Sequence, residues 1–230
     1  MTFKQLLRTT PITLILITTV VSYFVLQVLL GVDMDSPTGS DLIHFGANAF
    51  PLSLFEPWRL LSAGFIHIGV LHLGFNAFAL YYLGQVAEML LDKWRFLLLF
   101  LLSVIGGNLL NLTHQYHTWH TTPSIGISAG ASGGIMGIGA CLTLFAFSKK
   151  PYAHYLDKKN LLILMGINLM PGFVMTGIDN AGHIGGAICG LLLAVAFVYK
   201  SSWFWGMVAV LGVVFVMAWY VLLQALPNLY

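Results

Sequence analysis

Residues 180–199 read NAGHIGGAICGLLLAVAFVY and contain no Asp, Glu, Lys or Arg. A helix of about 20 residues crosses the hydrocarbon core of a bilayer, so this stretch is long enough to span it. Gly186 and Gly190, four residues apart, form a face of small side chains that lets another helix approach closely in lipid. The stretch therefore predicts a protein built from packed membrane-spanning helices.

The composition of the whole chain agrees with this prediction. Hydrophobic residues make up 58% of the 230, and charged residues only 8%, whereas a soluble domain is about 25% charged. The mean hydropathy is +0.87. A net charge of +2 with no basic stripe argues against a nucleic-acid partner. The two cysteines form no CxxC pair, and we expect neither a cofactor nor a metal site.

Charged residues divide the chain into uncharged runs that each have room for a span. The longest run is too long for one helix, and the polar stretch from Asn111 to Ser124, which includes Pro123, predicts a loop that splits it. The first run exceeds the apolar part of a signal peptide, so we interpret it as a retained span. The sequence thus predicts an all-α polytopic membrane helix bundle with seven transmembrane helices. The runs are 9–32, 60–87, 96–148, 160–178, 180–199 and 201–230.

The basic residues predict the orientation of these helices. If the N-terminus is cytoplasmic, every Lys and Arg except Arg59 falls on the cytoplasmic side, as the positive-inside rule requires. With no extramembrane domain in the sequence, we predict an integral protein of a bacterial plasma (inner) membrane. The basic residues on the inner side are Lys4, Arg8, Lys93, Arg95, Lys149, Lys150, Lys158, Lys159 and Lys200.

In this orientation the second, fourth and sixth helices run inward, and each carries polar residues at its outer end. His72 and Asn76 lie in the second helix, Ser132 opens the fourth, and His183 lies in the first turn of the sixth. Polar groups within a bilayer are costly and point to function. We therefore expect these side chains to share one layer near the external surface.

Each of these residues suits a role in acyl transfer. Ser132 can act as nucleophile, with His183 as the base that takes its proton. His72 and Asn76 are four residues apart on one helical face, so both can donate hydrogen bonds to an oxyanion. The backbone N–H of Ser132, at a helix N-terminus, is a third donor. Small residues on the fourth and sixth helices would let serine and histidine meet, and we assign this support to Gly130, Gly133, Gly186 and Gly190.

These motifs resemble those of the rhomboid family of intramembrane serine proteases. The resemblance covers about residues 10–200, so that 1–230 would form a single rhomboid-like transmembrane domain with an extra C-terminal helix at about 203–223. The matching pieces are Gly130-Ala131-Ser132-Gly133, Ala181-Gly182-His183-Ile184-Gly185-Gly186 with Gly190, His67 with His72 and Asn76, Trp58-Arg59, and Glu88.

The resemblance implies a Ser132–His183 dyad, with His72, Asn76 and the Ser132 amide binding the oxyanion. It implies cleavage of single-span transmembrane protein substrates near the external membrane face, after a small residue. The loop at about 171–180 and the fifth helix would form a mobile cap and gate. Met136 stands where the family often has an aromatic residue against the base, and can make a sulfur–aromatic contact instead. The sequence indicates no oligomeric state.

Other polar residues have structural interpretations as well as functional ones. Asp179 lies four residues before His183 and could orient it as the third member of a triad, although the resembled family uses a dyad. We assign His67 to structure, because its spacing from His72 takes it off the oxyanion face. His114, His117 and His120 could bind metal, but we favour a polar interfacial loop. We interpret Cys141 and Cys189 as packing residues.

Three other functions are alternatives to the protease hypothesis. Gly130–Gly134 also matches the G-x-S-x-G elbow of soluble hydrolases, but that motif needs a preceding strand and an α/β pattern, and the sequence predicts neither. A small transporter or channel would carry its polar residues at the membrane midplane rather than near one face. An inactive rhomboid-like binding protein would not need the complete set of serine, base and oxyanion donors.

Overall fold

A computed structural model describes residues 8–119, 121, 126–173 and 179–229 of the chain. The main helices are α1 (Pro11–Leu29), α2 (Val70–Leu91), α3 (Lys93–Thr118), α4 (Ser132–Phe147), α5 (Lys158–Leu169), α6 (Asn180–Tyr199) and α7 (Trp203–Ala225). Short helical segments lie between them at Gly39–His44, Leu52–Phe55, Arg59–Ser62, Ala63–Phe65, Pro151–Tyr155 and Met170–Phe173, and another follows α7 at Leu226–Leu229. Lys4, used above for orientation, lies outside the described residues.

The all-α membrane bundle predicted from the sequence is confirmed, but the number of spans stays a prediction. Within the described residues, α1, α3, α6 and α7 are each long and apolar enough to cross a bilayer. A fifth candidate joins Arg59–Phe65 to α2 through a bend of 94°. α4 has 16 residues and α5 has 12, and both are shorter than the roughly 20 residues that span a bilayer.

The third main helix continues further than the sequence predicts. The loop expected from Asn111 onward is wrong at 111–118, because α3 runs to Thr118. Its polar residues have partners within the fold: the Gln115 Nε2–H donates to Asn111 Oδ1 at 2.6 Å, and the Asn48 Nδ2–H donates to the same oxygen at 3.1 Å. A helix can carry buried amides when each finds a partner, which the sequence does not reveal.

Two short segments that are distant in sequence pair as a small antiparallel ladder. Strand β1 (Asn48–Ala49) pairs with strand β2 (Ile127–Ser128), with Asn48 opposite Ser128. The prediction that no strand precedes Gly130–Gly134 is therefore wrong in this detail, because two-residue strands leave no periodic pattern in a sequence. The ladder is antiparallel and has no crossover helix, so it is not the α/β pattern of a soluble hydrolase.

The helix α6 packs against both α3 and α4, and its contact with α4 is made by backbone. A Cβ atom on Gly186 would overlap the carbonyl oxygen of Gly133, and one on Gly190 would overlap that of Gly137. At both positions glycine is required because the neighbouring helix occupies the space of a side chain. This contact fixes the separation of the helices that carry Ser132 and His183.

Near the C-terminal end of α2, a buried carboxylate joins α2 to the start of α1. Glu88 is 2% exposed and accepts hydrogen bonds from the backbone N–H groups of Ile12 and Thr13 at 2.9 and 2.8 Å, and from the Thr13 hydroxyl at 2.8 Å. These amides open α1 and have no partner within their own helix. The carboxylate satisfies them and sits where the positive end of the helix dipole favours it.

We expect Gly186→Ala to destabilise the protein by about 1–3 kcal/mol, the usual cost of adding atoms to a packed core. The added methyl must push α6 away from α4, so the Ser132–His183 hydrogen bond should lengthen or break. The measurement is thermal unfolding in detergent. Gly212→Ala on α7 is the matched control, because a Cβ there meets nothing within 4 Å. Equal unfolding temperatures for the two variants would contradict the proposed backbone contact.

Candidate active site

The structure brings Ser132 and His183 together from two helices. His183 Nε2 lies 2.9 Å from Ser132 Oγ. Ser132 is the first residue of α4 and is half-buried, whereas His183 lies in the first turn of α6 and is 8% exposed. When the serine hydroxyl donates, Nε2 is the acceptor and Nδ1 carries the ring hydrogen. This arrangement pairs a hydroxyl with a base that can take its proton.

Gly130 fixes the approach of the chain to Ser132. Its φ of +137° is in the region that side-chain-bearing residues rarely adopt. Its N–H donates to the Ala63 carbonyl at 2.9 Å, and a Cβ at this position would come within 2.7 Å of His72 Cε1. The imidazole of His72 therefore lies directly against the glycine two residues before Ser132.

The hydrogen bonds of His72 determine which ring nitrogen faces the site. The Ile68 backbone N–H donates to His72 Nδ1 at 3.2 Å, so in the neutral ring Nε2 carries the hydrogen. Asn76 is 6% exposed, and its Nδ2 donates to the His72 carbonyl at 2.8 Å. An amide nitrogen has two hydrogens, so one remains for another acceptor. Both residues line the same cavity as Ser132 and His183.

This cavity has a volume of about 640 Å³ and is lined by both polar and apolar side chains. The polar ones are the four residues just described together with Asn108, Ser128, Asn168 and Asp179. The apolar ones include Phe75 and Phe78 of α2 and Leu164 and Ile167 of α5. Of the loop at about 171–180, residues 174–178 lie outside the described part of the chain.

Asp179 is the N-cap of α6 and not a hydrogen-bond partner of the His183 ring. Its Oδ1 accepts from the Gly182 N–H at 2.7 Å, and its Oδ2 accepts from the Ser128 hydroxyl at 2.6 Å. Both carboxylate oxygens are thus used by other groups, and the described residues contain no bond from this carboxylate to the imidazole. The geometry corresponds to a capping residue.

The sequence did not predict a buried polar network that reaches the cavity wall at Asn108 and Ser128. The Asn48 side chain donates to the Asn108 carbonyl at 3.2 Å, and the Asn108 side chain donates to the Leu60 carbonyl at 3.0 Å. Ser128 Oγ lies 3.5 Å from Asn108 Oδ1. The signal was the presence of Asn108 within a long apolar run, since a polar residue in a span needs a partner.

The Trp58-Arg59 pair organises the external segment before α2. Arg59 is 6% exposed, pairs with Glu56 at 2.8 Å, and donates to the carbonyls of Ile43 and Ala47 at 2.6 and 3.3 Å. Its guanidinium lies 4.6 Å from the centre of the Trp58 ring. The arginine therefore ties three parts of the segment together.

The remaining candidate residues that the structure describes are not among those that line the cavity. His67 is 1% exposed and its ring centre is 5.2 Å from that of His72. Met136, Cys141 and Cys189 are buried. His114 and His117 are exposed on the last turns of α3, and His120 lies outside the described residues. Where the structure is described, no three His, Cys, Asp or Glu side chains are grouped so as to hold a metal ion.

Comparison with known proteins places this chain in a family. A family model described as "Rhomboid domain" matches residues 54–200, more than half of the chain. The chain is 34% identical over 205 residues to "Rhomboid protease AarA" of Providencia stuartii, covering 81% of this chain and 72% of that protein.

Two further relatives extend the comparison. "Rhomboid protease GluP" of Bacillus subtilis (strain 168) is 36% identical over 170 residues, covering 73% of this chain and 32% of its own. "Rhomboid-like protease 1" of Toxoplasma gondii is 30% identical over 187 residues, covering 77% of this chain and 61% of its own. The chain thus spans about a third of one of these proteins and under two thirds of the other. With its apolar helices and the match over residues 54–200, the chain is an integral membrane protein that belongs to the rhomboid family.

Proposed function

We propose that this chain is an intramembrane serine endopeptidase that uses Ser132 and His183 to cleave transmembrane segments of single-span proteins. The observation that carries the proposal is the 2.9 Å contact between Ser132 Oγ and His183 Nε2 at the polar wall of a cavity. Membership of a family whose curated relatives are named rhomboid proteases supports the same reaction class.

The first chemical step is an attack by serine on a peptide carbonyl. Ser132 Oγ bonds to the carbonyl carbon while its proton passes to His183 Nε2. The imidazolium then gives that proton to the departing amine nitrogen, which breaks the C–N bond and leaves an acyl-serine. Water then attacks the acyl carbon while His183 takes a proton from it. His183 returns that proton to Ser132 Oγ as the ester bond breaks, which releases the new carboxyl terminus and restores the serine.

Hydrogen-bond donors beside Ser132 would stabilise the oxyanion formed in this attack. His72 presents Nε2–H, because Nδ1 already accepts from Ile68. Asn76 has a second amide hydrogen, and the Ser132 N–H lies in the first turn of α4, where amides lack helical partners. Donors already in position need no reorganisation when the charge develops, which makes such sites effective.

The apolar side of the cavity is where a substrate would enter. Phe75, Phe78 and Ile167 are 72%, 61% and 64% exposed, so the gap between α2 and α5 opens to the surroundings of the bundle. A transmembrane segment is apolar and would find matching side chains there. We propose that α5 acts as the gate, and that the substrate bond reaches Ser132 in extended form.

The basic residues support an orientation with this cavity on the external side. Lys93 and Arg95 open α3, and Lys158 and Lys159 open α5, all at the helix ends opposite to Ser132. The positive-inside rule would put that end in the cytoplasm. We therefore propose a bacterial plasma membrane protein with a cytoplasmic N-terminus, whose cleavage site lies near the external face.

The test is cleavage of a tagged single-span substrate by purified protein in detergent or vesicles. We expect the wild type to cleave it, and Ser132→Ala and His183→Ala to be inactive while keeping wild-type unfolding temperatures. Ser148→Ala is the matched serine control, because its hydroxyl donates to the Phe145 carbonyl at the far end of α4 and Ser148 is not among the residues that line the cavity. Cleavage by Ser132→Ala, or none by the wild type, would contradict the protease and favour a transporter or an inactive binding protein.

The oxyanion assignment predicts a loss of turnover with little loss of substrate binding. Asn76→Ala and His72→Ala should each lower kcat by about 100- to 1000-fold, the usual effect of removing one oxyanion donor. Gln85→Ala is the control on the same helix, since Gln85 donates to a carbonyl four residues earlier as Asn76 does, but lies outside the cavity lining. A kcat for Asn76→Ala equal to that of Gln85→Ala would refute the assignment.

A further inference from the structure

A side-chain bridge connects the segment before the proposed nucleophile to the helix that carries the proposed base. The Ser128 hydroxyl donates to Asp179 Oδ2 at 2.6 Å, across 51 residues of sequence. Ser128 is 8% exposed, and both residues line the cavity beside Ser132 and His183. A hydroxyl donating to a carboxylate at this distance is a charge-assisted hydrogen bond, stronger than one between neutral groups.

On the serine side, the bridge ends on a segment whose position is fixed. Ser128 lies in β2, which pairs with β1 through Asn48. Two residues later, the Gly130 N–H donates to the Ala63 carbonyl at 2.9 Å, and two residues after that the chain reaches Ser132. A change in the position of Ser128 therefore changes the position of Ser132, because a short and restrained stretch of backbone connects the two residues.

On the histidine side, the bridge ends on the first turn of α6. The other carboxylate oxygen of Asp179 accepts from the Gly182 N–H at 2.7 Å, and the Asp179 carbonyl accepts from the His183 N–H at 3.1 Å. Asp179 is therefore bonded to the backbone N–H groups of both Gly182 and His183. The Asp179 carboxylate therefore caps the N-terminus of α6 and also holds this end of the helix against β2.

The glycine contact between α4 and α6 does not by itself fix this turn. Gly186 and Gly190 meet α4 one and two turns further along the helix. The first turn itself packs on α3, where a Cβ on Gly107 would come within 2.5 Å of the Gly182 carbonyl oxygen, but this contact does not reach the segment before Ser132, so the two could still tilt relative to each other. Catalysis is sensitive to such tilts, because a misplacement of about 1 Å costs about 100-fold in rate. A second attachment at the helix start removes this freedom.

We propose that Ser128 and Asp179 are positioning residues that hold His183 at hydrogen-bond distance from Ser132. The inference rests on the proposed function, since it assigns the bridge to the geometry of that dyad. The Asp179 carboxylate thus acts by holding the start of α6 against β2 and does not bond directly to the imidazole.

The test measures how fast a small fluorophosphonate modifies Ser132 in the whole purified protein, per folded molecule. The probe reacts only when His183 takes the serine proton, and it needs no transmembrane substrate, so gating and substrate binding do not enter. We expect Ser128→Ala and Asp179→Ala each to slow labelling by about 10- to 100-fold. The double variant should be no slower than the slower single one, because both remove the same bridge.

Conservative variants separate positioning from charge. Asp179→Asn keeps an oxygen to accept from Gly182 and gains an amide that can donate to Ser128 Oγ, so the bridge survives without its charge. Ser128→Thr keeps the hydroxyl. Both should retain most of the labelling rate. Asp157→Ala removes the comparable cap of α5, where Asp157 accepts from Lys159 and Asn160, and should label as the wild type does.

The outcomes distinguish this proposal from the proposed function. If the wild type is labelled and Ser132→Ala is not, but Ser128→Ala reacts at the wild-type rate, the bridge has no positioning role and the protease assignment stands. An Asp179→Asn variant as slow as Asp179→Ala would show that charge matters and would overturn the mechanical account. If the wild type itself is not labelled at Ser132, the proposed function fails first.

Discussion

The close approach of α4 and α6 is the constraint on which the rest of the structure depends. Gly133 and Gly137 present their carbonyls to the Cα atoms of Gly186 and Gly190, and no side chain fits between them. In lipid there is no hydrophobic driving force between helices, so small residues that permit backbone contact provide much of the attraction. The same contact brings a serine on one helix within hydrogen-bond distance of a histidine on the other.

The composition limits which chemistry can be placed at that contact. Unpaired charges in a bilayer are costly, and the serine, imidazole and amide groups around the cavity can all be neutral. The charged residues Glu88 and Arg59 are buried and engaged, since Glu88 caps α1 and Arg59 binds backbone carbonyls, and the half-buried Asp179 caps α6. These charged residues thus stabilise the fold, and neutral polar groups face the proposed substrate.

The sequence predicted the parts of this fold that depend on local rules. Uncharged runs predicted helices, and glycine spacing predicted the faces that meet. It missed the continuation of α3 beyond Asn111, the ladder between Asn48 and Ser128, and the bond from Ser128 to Asp179. Each of these depends on where distant polar groups find partners, and pairing across 50 or more residues leaves no local pattern.

The most direct test of the account is a crystal structure of the protein after reaction with a phosphonate inhibitor. The account predicts a covalent bond from phosphorus to Ser132 Oγ, with the phosphonyl oxygen about 3 Å from His72 Nε2, Asn76 Nδ2 and the Ser132 amide. Attachment to another residue, or a phosphonyl oxygen directed away from these donors, would contradict the proposed layer of neutral polar groups.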